Sequence, residues 1–141
     1  MILRVIFVIL FMLILGGVGL VMSDQPQTLY INDQTFSFVV ADSQEERAQG
    51  LSGQNSLPSD EVLVFIFPDS DFHGIWMKDM NFPIDIIWLN EQKQVVDFEG
   101  NVLPDTYPEI FLPDAPAKYV VEANAGVTES LNLAVGDTFE F

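Results

Sequence analysis

Residues 72–90 read FHGIWMKDMNFPIDIIWLN, and the fold turns on how the charges in this stretch are read. His73, Lys78, Asp79 and Asp85, with Glu91 just beyond, sit in or beside a run of Trp, Phe, Ile and Met. An unpaired charge in an apolar interior costs several kcal/mol or titrates to neutral. These groups are therefore expected either to pair inside the fold or to gather at a site. Residues 84–89 are apolar apart from Asp85, and residues 62–67 are apolar throughout. Both read as strands covered on both faces. Alternation puts Asp85 on the face of Ile87 and Leu89, where it needs a partner.

Working outward, residues 28–31 and 34–40 read as two strands joined at Asn32-Asp33, residues that tolerate the positive φ of a two-residue turn. Ser43-Gln44-Glu45-Glu46 fits a capping box, and Gly50 suits the left-handed residue that closes the helix. A polar hairpin loop at 90–93 leads to a strand at 94–98 that turns at Glu99-Gly100. Residues 101–116 carry Pro104, Pro108, Pro113 and Pro116, so this stretch is expected to be extended loop. A loop this long in a small domain is more often functional than a plain connection. A strand at 118–123, a short helix at 127–132 capped by Asn124, and a last strand ending at Phe141 complete the reading. Successive strands with tight turns favour antiparallel pairing, and closure would remove exposed edges. The expected fold is a β-rich α+β domain: a compact, mostly antiparallel, barrel-like sheet with two short helices.

The chain has 141 residues, which suits one domain after a targeting segment. Residues 2–22 are apolar except Arg4 and long enough to span a hydrocarbon core of ~30 Å. Arg4 on one side and Asp24 on the other place the N-terminus in the cytoplasm and the domain outside. An uncleaved transmembrane anchor and a cleaved signal peptide both fit; cleavage would make the domain secreted. Residues 1–22 are thus read as anchor or signal, 23–27 as linker and 28–141 as one globular domain.

All acidic residues follow Ser23, against Arg47, Lys78, Lys93 and Lys118, and the formal net charge is −16. Nucleic acid and anionic headgroups are poor partners for such a surface, whereas cations, basic peptides and neutral glycans remain. With no cysteine, thiol catalysis and thiolate metal sites are out.

Several segments together resemble one family. They are Glu45-Glu46-Arg47-Ala48-x-Gly50-Leu51-x-Gly53, Leu57-Pro58, Phe65-x-Phe67-Pro68, Trp76-Met77-Lys78-Asp79-Met80, and residues 83–89, PIDIIWL. Residues 116–122 (PAKYVVE), Ala125-Gly126 and Val135-Gly136-Asp137 complete the series. In order and spacing the set resembles the family catalogued as domain of unknown function 192. The resemblance implies a compact, mostly β fold, often behind an export signal or anchor, and no established activity, cofactor or substrate. It also marks departures: the family pattern has Asn where Asp79 stands, Arg near Gln54, and cysteine in the proline-rich loop.

Candidate chemistry divides three ways. Asp79, Asp85 and Glu122 are the candidates for a catalytic carboxylate pair of the glycosidase kind. Arg47, Lys78, Asp85 and Glu122 are the candidates for structural ion pairs within the barrel. Trp76, Lys78, Asp79 and Tyr107, with Phe82 and Phe111, are the candidates for a binding groove suited to a sugar or an extended peptide. The start of a calcium loop at Asp69-Ser70-Asp71-Phe72-His73-Gly74 fails at its fifth and twelfth positions, so no metal and no cofactor are expected. The lone His73 and the missing nucleophile elbow leave triads unsupported. The preferred reading, leaning away from an enzyme, is a monomeric, membrane-tethered extracytoplasmic binding or accessory module of the cell envelope, its ligand a glycan or peptide. A hydrolase and a ligand-free structural envelope protein are the alternatives.

Overall fold

The computed structural model describes residues 27–141. The anchor or signal at 1–22, and the linker up to residue 26, lie outside the described residues. Among the described residues no helix is long and apolar enough to cross a membrane.

Strands β1 (Gln27–Ile31) and β2 (Gln34–Ala41) form the hairpin expected from Asn32-Asp33, with Asn32 at φ 49°. Helix α1 (Gln44–Gln49) opens with the capping box: the Ser43 hydroxyl accepts from Glu46 N at 3.2 Å, and Glu46 Oε2 accepts from Ser43 N at 3.0 Å. Strand β3 (Glu61–Asp71) then pairs parallel to β2, so α1 is the crossover of a β–α–β unit. Strands β4 (Ile75–Trp76), β5 (Ile84–Leu89), β6 (Val95–Val102), β7 (Ile110–Phe111) and β8 (Ala117–Asn124) follow, and α2 (Val127–Ser130) closes the series. The main sheet runs β1-β2-β3-β8-β5-β6; β4 and β7 make a separate two-stranded ladder. The fold is mostly β with two short helices.

The barrel-like closure is overturned. The edge strands β1 and β6 do not pair with each other. What was expected to be a final strand is reduced to isolated bridges, Tyr30 to Glu140 at one edge and Gln94 to Thr138 at the other. The reason lies in the two-sided strands. Val62, Val64, Ile87, Leu89, Val121 and Ala123 build one core together with Leu131 and Phe139. The alternate residues Leu63, Phe65, Ile86, Trp88 and Val120 build a second core on the opposite face with Leu51, Met77 and Val102. A small closed barrel has one interior, whereas this sheet buries apolar side chains on both faces. Each large apolar side chain so buried contributes about 1.5–3 kcal/mol.

Two smaller corrections bear on the site. Strand β6 runs on through Glu99-Gly100, where a turn was expected, and is irregular there: Ile84 pairs with Val102 but Ile86 with Glu99. Asn101, at φ 53°, absorbs the shift. Helix α2 is entered through Gly126 at φ 94°, and Asn124 does not cap it; the Asn124 amide donates instead to the carbonyls of Leu57 and Pro58 at 2.9 and 3.1 Å.

Candidate functional site

The two buried carboxyl groups have opposite surroundings. Asp85 is fully buried, on the face of Ile87 and Leu89, as alternation predicts. It accepts four hydrogen bonds: Asn101 N at 2.7 Å, Thr128 N at 2.8 Å, Thr128 Oγ1 at 2.8 Å and Gly126 N at 3.2 Å. The irregularity in β6 aims the Asn101 amide at it, and α2 begins on it. The ion pair expected for Asp85 is thus replaced by neutral donors from a backbone shaped to supply them.

Glu122 sits mid-sheet on β8, opposite Leu63 of β3 and Ile86 of β5, and faces the second core. It is 4% exposed, and its Oε2 has no hydrogen-bond partner. Burial alone pushes its carboxyl up to about 8, so it is neutral near pH 7. Glu122 lies at a cavity of about 50 Å³ also lined by Arg47, Gly50, Phe65, Trp76 and Met80. That volume holds a few waters or the end of a ligand.

Gly50 keeps the cavity open. Its φ of 50° favours glycine, and a Cβ there would lie 3.2 Å from Phe65 Cζ and 3.7 Å from Glu122 Oε2. Gly50→Ala is expected to destabilise the fold by about 1–3 kcal/mol, read as a lowered urea midpoint. An unchanged midpoint would show that this loop relaxes freely.

At the mouth, Trp76 and Tyr107 meet edge to face with centroids 5.8 Å apart, each 44% exposed. Lys78 Nζ lies 5.6 Å from the Trp76 ring centroid. The structure therefore brings Trp76, Lys78 and Tyr107 of the expected groove together. Phe82 and Phe111 are instead half-buried against the second core. Asp79, at φ 54°, is exposed and lines a separate shallow hollow with Lys78, Ser52 and Gly53; its carbonyl accepts from Gly53 N at 2.8 Å.

The catalytic carboxylate pair does not form. Asp85 and Glu122 face opposite sides of the sheet, because their neighbours belong to different cores, and Asp79 is exposed in its own hollow. The ion pairs do not form either. Arg47 donates to the carbonyls of Asp42 and Ile66, the latter at 3.0 Å, and packs 5.2 Å from the Phe67 centroid. Among the described residues the contact at ion-pair distance is His73 Nε2 to Asp69 at 3.9 Å. His73 stacks on Phe67 at 3.6 Å, and its carbonyl accepts from Trp88 Nε1 at 2.8 Å, so it is built into the packing. Among the described residues no group of three His, Asp or Glu side chains is placed to hold a metal. Sequence reading missed Gly50, Phe65 and Met80 as cavity walls. The signal that could have found the site is the lone Glu122 in the apolar alternation of residues 119–123.

The fold and the cavity define a small α+β domain built on an open, two-sided sheet, with an unsatisfied carboxyl in a pocket on one face. Residues 27–141 match the family model described as Uncharacterized ACR (DUF192), and the chain belongs to that family, as the resemblance of its segments implied. A UPF0127 protein of Pyrococcus furiosus is 38% identical over 57% of this chain and 67% of its own length. One from Pyrococcus abyssi is 32% identical over 72% of this chain and 83% of its own length. Among solved structures, a protein of unknown function from Novosphingobium aromaticivorans is similar with a TM-score of 0.75 and 25% identity, over 81% of this chain and 84% of that one. A putative transcription regulator from Sinorhizobium meliloti has a TM-score of 0.74 at 24% identity, over 80% of this chain and 89% of that one, and shows the fold alone. The segments that carry the resemblance lie far apart in sequence, yet four of them meet at one place: Arg47 to Leu51, Phe65, Trp76 with Met80, and Glu122 all line the Glu122 cavity.

Proposed function

We propose that this chain is a binding module of the cell envelope, exported or tethered through residues 2–22, that holds the end group of a glycan or peptide in the Glu122 cavity. The observation that carries the reading is the unpartnered Oε2 of Glu122. A polar atom buried without a partner costs about 1–3 kcal/mol, and a ligand that supplies the partner recovers that energy on binding. The exposed rings of Trp76 and Tyr107 beside the mouth offer a platform for the rest of the ligand. The apolar run behind Arg4 supports export.

The two tryptophans supply the test. Trp88 is fully buried and Trp76 is not, so acrylamide quenching reports chiefly on Trp76. Titrating the full chain with a panel of envelope glycan fragments and short peptides is expected to protect Trp76 from the quencher. Trp76→Ala is expected to weaken binding, followed by calorimetry, by about tenfold (~1.4 kcal/mol). A panel in which nothing protects Trp76 would end the binding reading. A C-terminal reporter active only in the cytoplasm would end the export reading.

A further inference from the structure

We propose, building on the binding reading, that the group the cavity receives is a primary ammonium, which takes the place of the Glu122 proton. Three observations point there. Glu122 has no counter-charge, although a cation lines the same cavity: Arg47 donates to two backbone carbonyls and packs on Phe67, with no ion pair to Glu122 among the described residues. The ring at the mouth already carries an ammonium, Lys78 Nζ over Trp76. The chain bears a formal net charge of −16, which draws cations toward it.

The other walls do not compete for the charge. β3 contributes Leu63 and Phe65, β5 contributes Ile86, and the segment from Gly74 to Met80 contributes Ile75, Trp76 and Met80 to the surroundings of Glu122, all uncharged. From α1 and its C-terminal turn come Arg47, Ala48, Gln49 and Gly50; Glu45 and Glu46 of that helix are exposed. Lys78 lies over the Trp76 ring and lines the neighbouring hollow, not this cavity. A buried carboxylate is unstable alone and stable beside a hydrogen-bonded cation. The exchange therefore balances: the carboxylic acid loses its proton to solvent, and the ammonium of the ligand, keeping its three N–H donors, binds the carboxylate left behind.

A primary ammonium comes from a lysine side chain or N-terminus of a peptide, or from a de-acetylated amino sugar. The probes are accordingly a lysine tripeptide with a blocked N-terminus, a glucosamine disaccharide, and the N-acetylated counterpart of each, titrated into the full chain by calorimetry and by Trp76 quenching. The lysine probe is expected to bind about tenfold more tightly per pH unit from pH 6 up to about 8 and to level off above it, since only ionised Glu122 accepts it; the glucosamine probe should follow the same rise and then weaken above about pH 8 as its own amine loses its proton. Calorimetry in buffers of different ionisation enthalpy is expected to show close to one proton released per amine bound near pH 7. Which of the two amines binds identifies the source. Glu122→Gln is expected to lose both the pH dependence and the proton release; the wild-type proton count stands as a test even if that variant misfolds. Acetylated probes that bind as well as the amines, without proton release, would overturn the ammonium assignment and leave the binding reading standing. If neither form of either probe protects Trp76, while other members of the wider glycan and peptide panel do, the ammonium assignment falls alone. If that whole panel is also silent, both fall.

Discussion

Replacing Asp85 with alanine is expected to destabilise the fold by about 4 kcal/mol, measured as a lower urea midpoint at an unchanged slope. The carboxyl is fully buried and accepts from Asn101 N, Gly126 N, Thr128 N and Thr128 Oγ1. Removing it strands the buried Thr128 N–H and hydroxyl, and takes the acceptor from the partly buried amides of Asn101 and Gly126. Each stranded donor costs about 1–3 kcal/mol before any relaxation. It also removes the side-chain acceptor that Asp85 supplies at the start of α2, where Gly126 offers no side chain to cap it. Asp85→Asn keeps one acceptor oxygen but turns an NH₂ group on donors, so an intermediate loss of about 2–3 kcal/mol is expected. Because the site faces the core opposite Glu122, neither substitution should alter the pH dependence described next. A loss below about 1 kcal/mol for the alanine variant would mean that water replaces the carboxyl, and Asp85 would not be the keystone of this half of the fold.

The second large effect is carried by Glu122, whose carboxyl is pushed up to about 8 by burial, from an ordinary value of 4.5. The sign follows from proton binding. Below pH 4.5 folded and unfolded chains both hold the proton, and the group is neutral to stability. Between 4.5 and about 8 the unfolded chain releases it while the folded chain keeps it, so stability falls as pH rises. The loss is on the order of 5 kcal/mol across that window, at about 1.4 kcal/mol per unit, and levels off above it. Glu122→Gln removes the ionising group, so its advantage over wild type should grow from near zero at pH 4.5 to several kcal/mol at pH 8. Comparing the two proteins at each pH cancels the general repulsion among the other acidic residues. Stability curves that stay parallel from pH 5 to pH 8 would show that Glu122 ionises freely in the folded chain. An amine ligand, by pairing with the ionised form, should recover part of the lost stability at high pH.

Local structure was largely legible along the chain. The Asn32-Asp33 turn and the capping box from Ser43 to Glu46 are each set by a few adjacent residues and are found as expected; Gly50 closes the helix at the expected position with φ 50°, but its ψ of −133° departs from the expected left-handed helical conformation. The two-sided burial of β5 was also legible, because residues 84–89 leave no face for solvent. The same observation argued against a closed barrel. A strand apolar on both faces demands a core on each side, and that inference outweighs the wish to hide edges. At Glu99-Gly100 the reading broke down because a bulge and a turn use the same residue types, and only the neighbouring strand decides between them.

By itself the sequence determined the long strands and the two short helices, the family, the two-faced central strands and the need of Asp85 for partners inside the fold, but not the two-residue strands β4 and β7 or the loss of the final strand to isolated bridges. Those features depend on residue type and on spacing within a few positions. Only the tertiary structure decided who the partners are: amides of residues 101, 126 and 128 serve Asp85, while Glu122 is left with one oxygen unserved and an opening in front of it. Hydrogen-bond partners and cavities arise where strands distant in the chain are brought side by side. One-residue alternation sends Asp85 and Glu122 to opposite faces of a sheet whose order, β3-β8-β5, no local pattern encodes.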